Sequence, residues 1–162
     1  MIQPFSNVHL LYKATRDGFT NSAFHSKCDG KENTVLIIKN NLNHVFGGYS
    51  SAKWSKEGSI ADPNAFIFSL RRNGKSNNYK LLVDPKHVSS AIYGDSSYYR
   101  FCGTGSLDIC IHENSNTNKG SQSGIECYIP PVYPIGSNAT TFLAGNYDQW
   151  LTTEIEVYQI FK

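Results

Sequence analysis

The stretch that decides the fold is LLYKATRDGFTNSAFHSKCDGKENTVLIIKNNLNHVFGGYSSAKW, residues 10–54. Leu10 to Tyr12 is a short apolar run typical of a strand, and Arg16-Asp17-Gly18 ends it with residues that favour a turn. The side-chain oxygens of Thr20 to Ser22 can cap a short helix, which Asp29-Gly30 then ends. The stretch therefore begins with a strand followed by a helix.

A β-hairpin follows the predicted helix. Thr34 to Lys39 is rich in β-branched residues, Asn40 to Asn43 favours a turn, and His44 to Tyr49 runs back as the second strand. Gly47 and Gly48 lie inside this second strand. A bulge or close packing against an aromatic side chain is a commoner reason for such glycines than the approach of a ligand.

The rest of the chain continues the β pattern. Five of the six residues from Ala65 to Leu70 are apolar, which predicts a strand that is buried on both faces or half-covered by a helix. Arg71 to Asn78 predicts a hairpin loop around an Asn-Gly turn. Further strands are predicted over residues 79–83, 98–102, 107–112, 126–129 and 153–160.

These elements predict a mainly β protein of the α+β type, a two-layer antiparallel β-sandwich with a few short helices. We expect a single domain over residues 1–162, with its core between about residues 8 and 161. The segments Ser55 to Asn64 and Glu113 to Gly124 are polar and predict loops. The second of them is poor in apolar residues and is the segment we expect to be most mobile.

Composition narrows the function classes. The chain has 162 residues and a net charge of +2, too small a charge to predict a nucleic-acid ligand or an anionic membrane partner. It has no apolar run of about 18 residues, so we expect no direct insertion into a membrane. The first residues do not resemble a secretory signal peptide. We therefore expect an intracellular, cytoplasmic protein whose four cysteines are reduced thiols.

Many short segments resemble the TLDc domain of eukaryotic oxidation-resistance proteins and TBC-and-LysM-associated proteins. They are LLYKATRDGF, FHSKCDGK, TVLIIK, VFGGYSSAKW, AFIFSL, GTGSLDICI and FLAG followed by TEIEVYQI. The resemblance extends from Val8 to Phe161. It implies a non-catalytic domain that binds protein partners and is associated with protection against oxidative stress. It also implies binding to the vacuolar-type proton ATPase, with recruitment to organelle membranes through that partner.

The resemblance transfers no catalytic, cofactor-binding or metal-binding residue. The positions that match the family pattern are interpreted as structural or partner-binding: Phe24, His25, Cys28, Asp29, Gly47, Gly48, Trp54, Glu154 and Glu156.

His25 and Cys28 support a competing hypothesis, because a helix places residues three apart on one face. They could form half of a zinc site, or the nucleophile pair of a thiol-dependent scavenger or hydrolase. A core thiol beside a polar histidine is favoured, since structural zinc needs further ligands and a nucleophile pair needs a third, orienting group. A scaffold module of a larger protein is the third alternative.

The closing strand alternates between carboxylates and aliphatic residues. Glu154 and Glu156 should lie on one face, with Ile155 and Val157 on the other. A solvated outer face is favoured over an acid–base pair. For Trp54 and Trp150, burial in the core is favoured over a role as anchors for a partner.

Overall fold

The computed structural model describes residues 7–103 and 108–161, which form two antiparallel β-sheets. The larger sheet has six strands in the order β1-β11-β2-β3-β5-β6, and the smaller has five in the order β10-β9-β8-β7-β4. The predicted β-sandwich with short helices is confirmed. The strands are β1 Asn7–Lys13, β2 Thr34–Asn40, β3 Val45–Ser50, β4 Gly58–Ile60, β5 Phe66–Arg72, β6 Lys75–Leu82, β7 Ile92–Gly94, β8 Tyr98–Phe101, β9 Ile109–His112, β10 Gln122–Ser123 and β11 Thr152–Phe161.

The short helices lie between the first strands and before β7. Helix α1 spans Ala14–Asp17, α2 spans Asn21–Cys28, and a 3-10 helix spans Pro85–Ser90. The predicted cap of α2 is confirmed, because the Thr20 side chain accepts a hydrogen bond from the Ala23 amide at 3.1 Å. Helix α1 was not predicted. It forms where the sequence suggested only a turn, and Gly18 ends it with a φ of 102°.

Strand β2 shows how alternation sets the two faces of the larger sheet. Leu36 and Ile38 are buried between the sheets, whereas Val35 and Ile37 on the opposite face are only partly covered. We call that second face the outer face. The same alternation in β11 buries Ile155 and Val157, which confirms their predicted direction.

The core between the sheets is strongly aromatic. The Phe24 ring stacks on Tyr99 with centroids 3.5 Å apart, and it meets Trp54 edge-on at 5.3 Å. Trp150 meets Phe46 edge-on at 5.7 Å. Both tryptophans are buried, as predicted. Helix α2 is therefore fixed to the sandwich by its aromatic residue.

Several predicted boundaries are wrong. The β5–β6 hairpin turns at Asn73-Gly74, so the strands continue through most of the predicted loop. The predicted strand over residues 126–129 is instead an irregular segment whose Tyr128 forms an isolated bridge with Val83. The short strand β4 lies in the predicted loop over residues 55–64. The start of the strand predicted at Leu107 lies outside the described residues.

The polar segment over residues 113–124 is tied to the fold, which contradicts the expectation that it is the most mobile loop. Ser115 is buried, its carbonyl accepts a hydrogen bond from the Thr152 amide at 2.9 Å, and the two hydroxyls are 2.7 Å apart. The Asn114 amide donates to the Phe19 carbonyl at 3.0 Å. Small hydroxyl side chains thus replace the apolar anchors that the sequence lacks.

Candidate functional site

Helix α2 carries three of the predicted site residues, Phe24, His25 and Cys28, and Asp29 caps its C-terminal end. Phe24 and Cys28 point into the core and have no exposed surface. Burial raises the pKa of the Cys28 thiol well above its usual range. A thiolate is the reactive form of cysteine, so this environment opposes nucleophilic chemistry at Cys28.

His25 pairs with Asp29 along the helix. Its Nδ1 lies 2.7 Å from Asp29 Oδ1, which orients the imidazole towards the carboxylate. The His25 side chain is buried, and its Nε2 has no hydrogen-bond partner among the described residues. Asp29 also connects α2 to Trp54 through an isolated parallel bridge. The pair therefore joins the helix end to the loop that carries Trp54.

Trp54 is fixed from both ends. Its indole Nε1 donates to Thr34 Oγ1 at 2.9 Å, and its ring lies edge-on to Phe101 with centroids 5.8 Å apart. Because the whole side chain is buried, it contributes to the core and offers no surface to a partner.

The two glycines of β3 serve opposite faces of the larger sheet. A Cβ on Gly48 would lie 2.6 Å from Phe101 Cε1, so this glycine makes room for a core ring. A Cβ on Gly47 would overlap the Leu36 carbonyl oxygen and lie 3.0 Å from Phe68 Cζ on the outer face. The expectation of close packing against an aromatic side chain is confirmed.

Glu154 and Glu156 point away from the core as predicted, but the expected solvation is wrong. Their side chains are only 14% and 19% exposed. Glu154 Oε1 accepts the Thr15 amide at 3.1 Å, at the start of α1. Glu156 accepts Lys13 Nζ at 3.0 Å and the Tyr158 hydroxyl at 2.8 Å.

This arrangement changes the electrostatics of Glu156. Burial alone would raise the pKa of its carboxyl, but the hydrogen bonds from Lys13 and Tyr158 outweigh burial and lower it. The two carboxylates therefore fasten β1 and α1 to β11 as charged acceptors.

A disulfide joins Cys102 to Cys127, so the expectation that all four cysteines are reduced thiols is wrong. The Asp108 carboxylate lies close by, and the donor atoms of these three residues are all within 4.8 Å of one another. Asp108 accepts the amides of Glu126, Cys127 and Tyr128 at 3.0–3.2 Å. The two sulfurs bond to each other, and the carboxylate accepts hydrogen bonds from these amides. The cluster therefore holds residues 126–128 against the smaller sheet.

Burial raises the pKa of Asp108 to about 7, even though the three backbone amides act in the opposite direction. The charge of the Asp108 side chain therefore changes near neutral pH.

The outer face of the larger sheet carries an open groove of about 650 Å³. Strands β2, β3 and β5 supply most of its apolar surface through Val35, Ile37, Tyr49, Phe66 and Phe68, while Leu70 and Ile160 extend it. Gly47 lies beside the groove, and a Cβ there would lie 3.0 Å from Cζ of the groove-lining Phe68. The volume of the groove falls in the range of ligand-binding clefts.

Polar groups border this groove at a few points. Lys80 Nζ lies 4.0 Å from the centre of the Phe66 ring, a cation–π contact that holds a positive charge at the edge. Asn33 accepts the Tyr49 hydroxyl at 3.0 Å, and Asn78 also borders the cavity. The groove can therefore bind an apolar segment that carries a negative charge beside it.

The sequence did not predict the groove. The largely apolar run Ala65 to Leu70 was the available signal, but it predicted a strand buried on both faces or half-covered by a helix. Leu70 is instead exposed, and Phe66 is only partly covered.

Comparison with known families gives one result. The family model of the TLDc domain matches residues 2–161.

Proposed function

The chain belongs to the TLDc domain family, and on this premise we propose that it is a non-catalytic protein-interaction module. In this proposal it acts in protection against oxidative stress and regulates the vacuolar-type proton ATPase by binding it. It works inside the cell, in the cytoplasm, and reaches organelle membranes through this partner.

The observation that carries the proposal is the open apolar groove on the outer face. Seven of its eleven lining residues are Val, Ile, Leu, Phe or Tyr side chains from strands β2, β3, β5 and β11, and a rigid sheet presents them without further ordering. Protein interfaces typically have an apolar centre and a polar rim, which matches the groove with Lys80 and Asn78 at its border. A partner segment with aliphatic or aromatic anchors and a neighbouring carboxylate fits this surface.

The surroundings of the thiol candidate support a non-catalytic role. Cys28 is buried with a raised pKa, and His25 is paired with Asp29. A scavenging thiol needs solvent access and a lowered pKa. Cys28 meets neither requirement, because its thiol is buried and its pKa is raised.

Binding of purified subunits of the vacuolar-type proton ATPase tests the proposal directly. Two groove variants are suitable, Leu70→Asp and Lys80→Glu, because both side chains are exposed and should tolerate substitution. We expect each variant to weaken binding about tenfold or more, because Leu70→Asp places a charge on the apolar surface and Lys80→Glu sets a like charge beside the partner's carboxylate. The matched control is Leu42→Asp, since Leu42 is exposed in the turn between β2 and β3 and is not among the residues that line the groove.

Each result has a distinct meaning. Loss of affinity in the groove variants but not in the control supports the proposal. Equal binding by all variants would place the contact outside the groove. Failure of the unmodified chain to bind any subunit would refute this partner, and affinity capture from the source cell with mass spectrometry would then identify the true one.

A further inference from the structure

A second surface, separate from the groove, combines bare aliphatic side chains with positive charge. It consists of Val132 and Ile135 from the loop after residue 128 and of Arg72 and Lys75 from the β5–β6 hairpin. We call it the loop–hairpin patch. Val132 is 92% exposed, and Ile135 is fully exposed.

The two parts of the patch are held together. Arg72 Nη2 donates to the Gly136 carbonyl at 3.3 Å, which sets a guanidinium beside Ile135. Tyr133 between the two aliphatic residues turns inward, and its ring meets the buried Phe142 at 5.7 Å. The Ser137 amide closes a turn onto the Pro134 carbonyl at 3.0 Å. Val132 and Ile135 are thus presented outward on an anchored loop.

The loop is also stiff. Pro130, Pro131 and Pro134 fix three backbone φ angles within it. Little conformational entropy remains to be lost when its tip is immobilised on a surface. Transfer of these two large aliphatic side chains from water into an apolar medium therefore lowers the free energy.

Among the described residues, no salt bridge joins a cation of the patch to a carboxylate. Arg72 and Lys75 are directly paired across the hairpin, and like charges in such positions repel each other. Arg72 Nε has no hydrogen-bond partner among the described residues. The sequence contains no carboxylate from residue 63 to 83 or from residue 127 to 147. The net charge of +2 conceals this local excess of cations.

We propose that the loop–hairpin patch docks on an anionic lipid bilayer, with Val132 and Ile135 entering the interfacial layer and the hairpin cations contacting the headgroups. Peripheral binding of this kind grows with the buried apolar area and with attraction to anionic lipids. No helix among the described residues is long and apolar enough to cross a bilayer, so the contact is with the surface.

A bilayer fits this patch better than an acidic protein segment does. Val132 and Ile135 are both almost completely exposed, whereas a protein partner would need a matched cavity for each. A fluid interface accepts any arrangement of protruding aliphatic groups. The groove on the outer face remains free for the partner proposed above, so the two surfaces can be occupied together.

Flotation of the full chain with vesicles tests this inference. Phosphatidylcholine vesicles, with and without phosphatidylserine, are compared at low and at physiological ionic strength. We expect the chain to float with the anionic vesicles and to bind them less as salt increases. Val132→Ser with Ile135→Ser should reduce the partition coefficient about tenfold or more. Lys75→Gln should reduce it about fivefold, because it removes one exposed charge from the patch.

Val8→Ser is the matched control, since it removes an exposed aliphatic group from β1 at 57% exposure, and it should float like the unmodified chain. The substituted side chains of the loop are exposed, so the melting temperature of the loop variant should equal that of the unmodified chain. The charge variant tests the inference even if the loop variant unfolds. Absence of any preference for anionic vesicles would overturn the inference. So would equal flotation of all variants, or binding of an acidic amphipathic peptide at this patch without vesicle binding.

Discussion

Gly48→Ala tests why the glycine pair is present in β3. The new methyl group would lie 2.6 and 2.7 Å from two carbons of the Phe101 ring. Ordinary contacts begin near 3.4 Å, so the ring would have to move by several tenths of an ångström. It is confined by Trp54 at 5.8 Å and by Tyr128 at 6.2 Å, both buried. We expect a loss of about 2–3 kcal/mol in the free energy of unfolding, within the range for overpacked cores.

A double-mutant cycle identifies the ring as the cause. Phe101→Leu alone should cost about 1–3 kcal/mol, but together with Gly48→Ala the total should fall short of the sum by about 1 kcal/mol or more, because the methyl group then has space. Urea unfolding followed by tryptophan fluorescence measures all three variants. At this chain length each kcal/mol should lower the melting temperature by about 2–4 °C.

Gly120→Ala is the control for the loss of glycine itself. The nearest atom to its new Cβ is the Asn118 side-chain oxygen at 3.1 Å, which is exposed and can move, so its cost should stay within about 0.5 kcal/mol. Additive costs of Gly48→Ala and Phe101→Leu would refute the packing argument. An unchanged free energy of unfolding in Gly48→Ala would also refute the packing argument, and Gly48 would again be a candidate contact site.

Three further predictions follow from buried polar groups. Glu154→Gln with Glu156→Gln should lower the free energy of unfolding by about 1–2 kcal/mol at neutral pH, because charge-assisted hydrogen bonds to β1 and α1 are lost. Urea titrations should show this difference vanishing in acid. No difference at neutral pH would mean that these contacts do not contribute to stability. Ser115→Ala should cost about 1–3 kcal/mol, since it leaves the buried Thr152 hydroxyl unpaired, and an unchanged melting temperature would show that the polar segment is not anchored there. Because burial raises the pKa of Asp108 to about 7, its native state takes up a proton that the unfolded chain binds only at lower pH. The stability of the unmodified chain relative to Asp108→Asn should therefore rise by roughly 2–3 kcal/mol between about pH 8 and about pH 5, and a flat difference would contradict the raised pKa.

Much of the fold follows from local patterns. Alternation in β2 and β11 predicts which side chains enter the core, and turn residues separate the strands. The cap at Thr20 and the stop at Asp29-Gly30 bound α2 closely. These features depend on residues near each other in sequence, which is why they can be read without the structure.

The remaining features depend on pairs of residues far apart in the chain. Spacing does not determine that Cys102 bonds to Cys127, 25 residues away, or that Ser115 meets Thr152. The apolar run over residues 65–70 shows that a strand is present, but not that one of its faces stays open. The groove was therefore beyond sequence reasoning, although most of its lining residues lie in correctly predicted strands.

The position of β11 has a consequence for how the protein is made. This strand is last in chain order among those described, yet it lies between β1 and β2, and its Thr152 pairs with Asn40. Until it emerges from the ribosome, β2 has an unpaired edge, and β1 has no partner in the sheet. Such long-range pairing slows folding, and an open edge invites pairing with other chains. We therefore expect the nascent chain to be prone to aggregation until β11 has been synthesised, and a truncation before β11 to aggregate instead of forming a smaller sandwich.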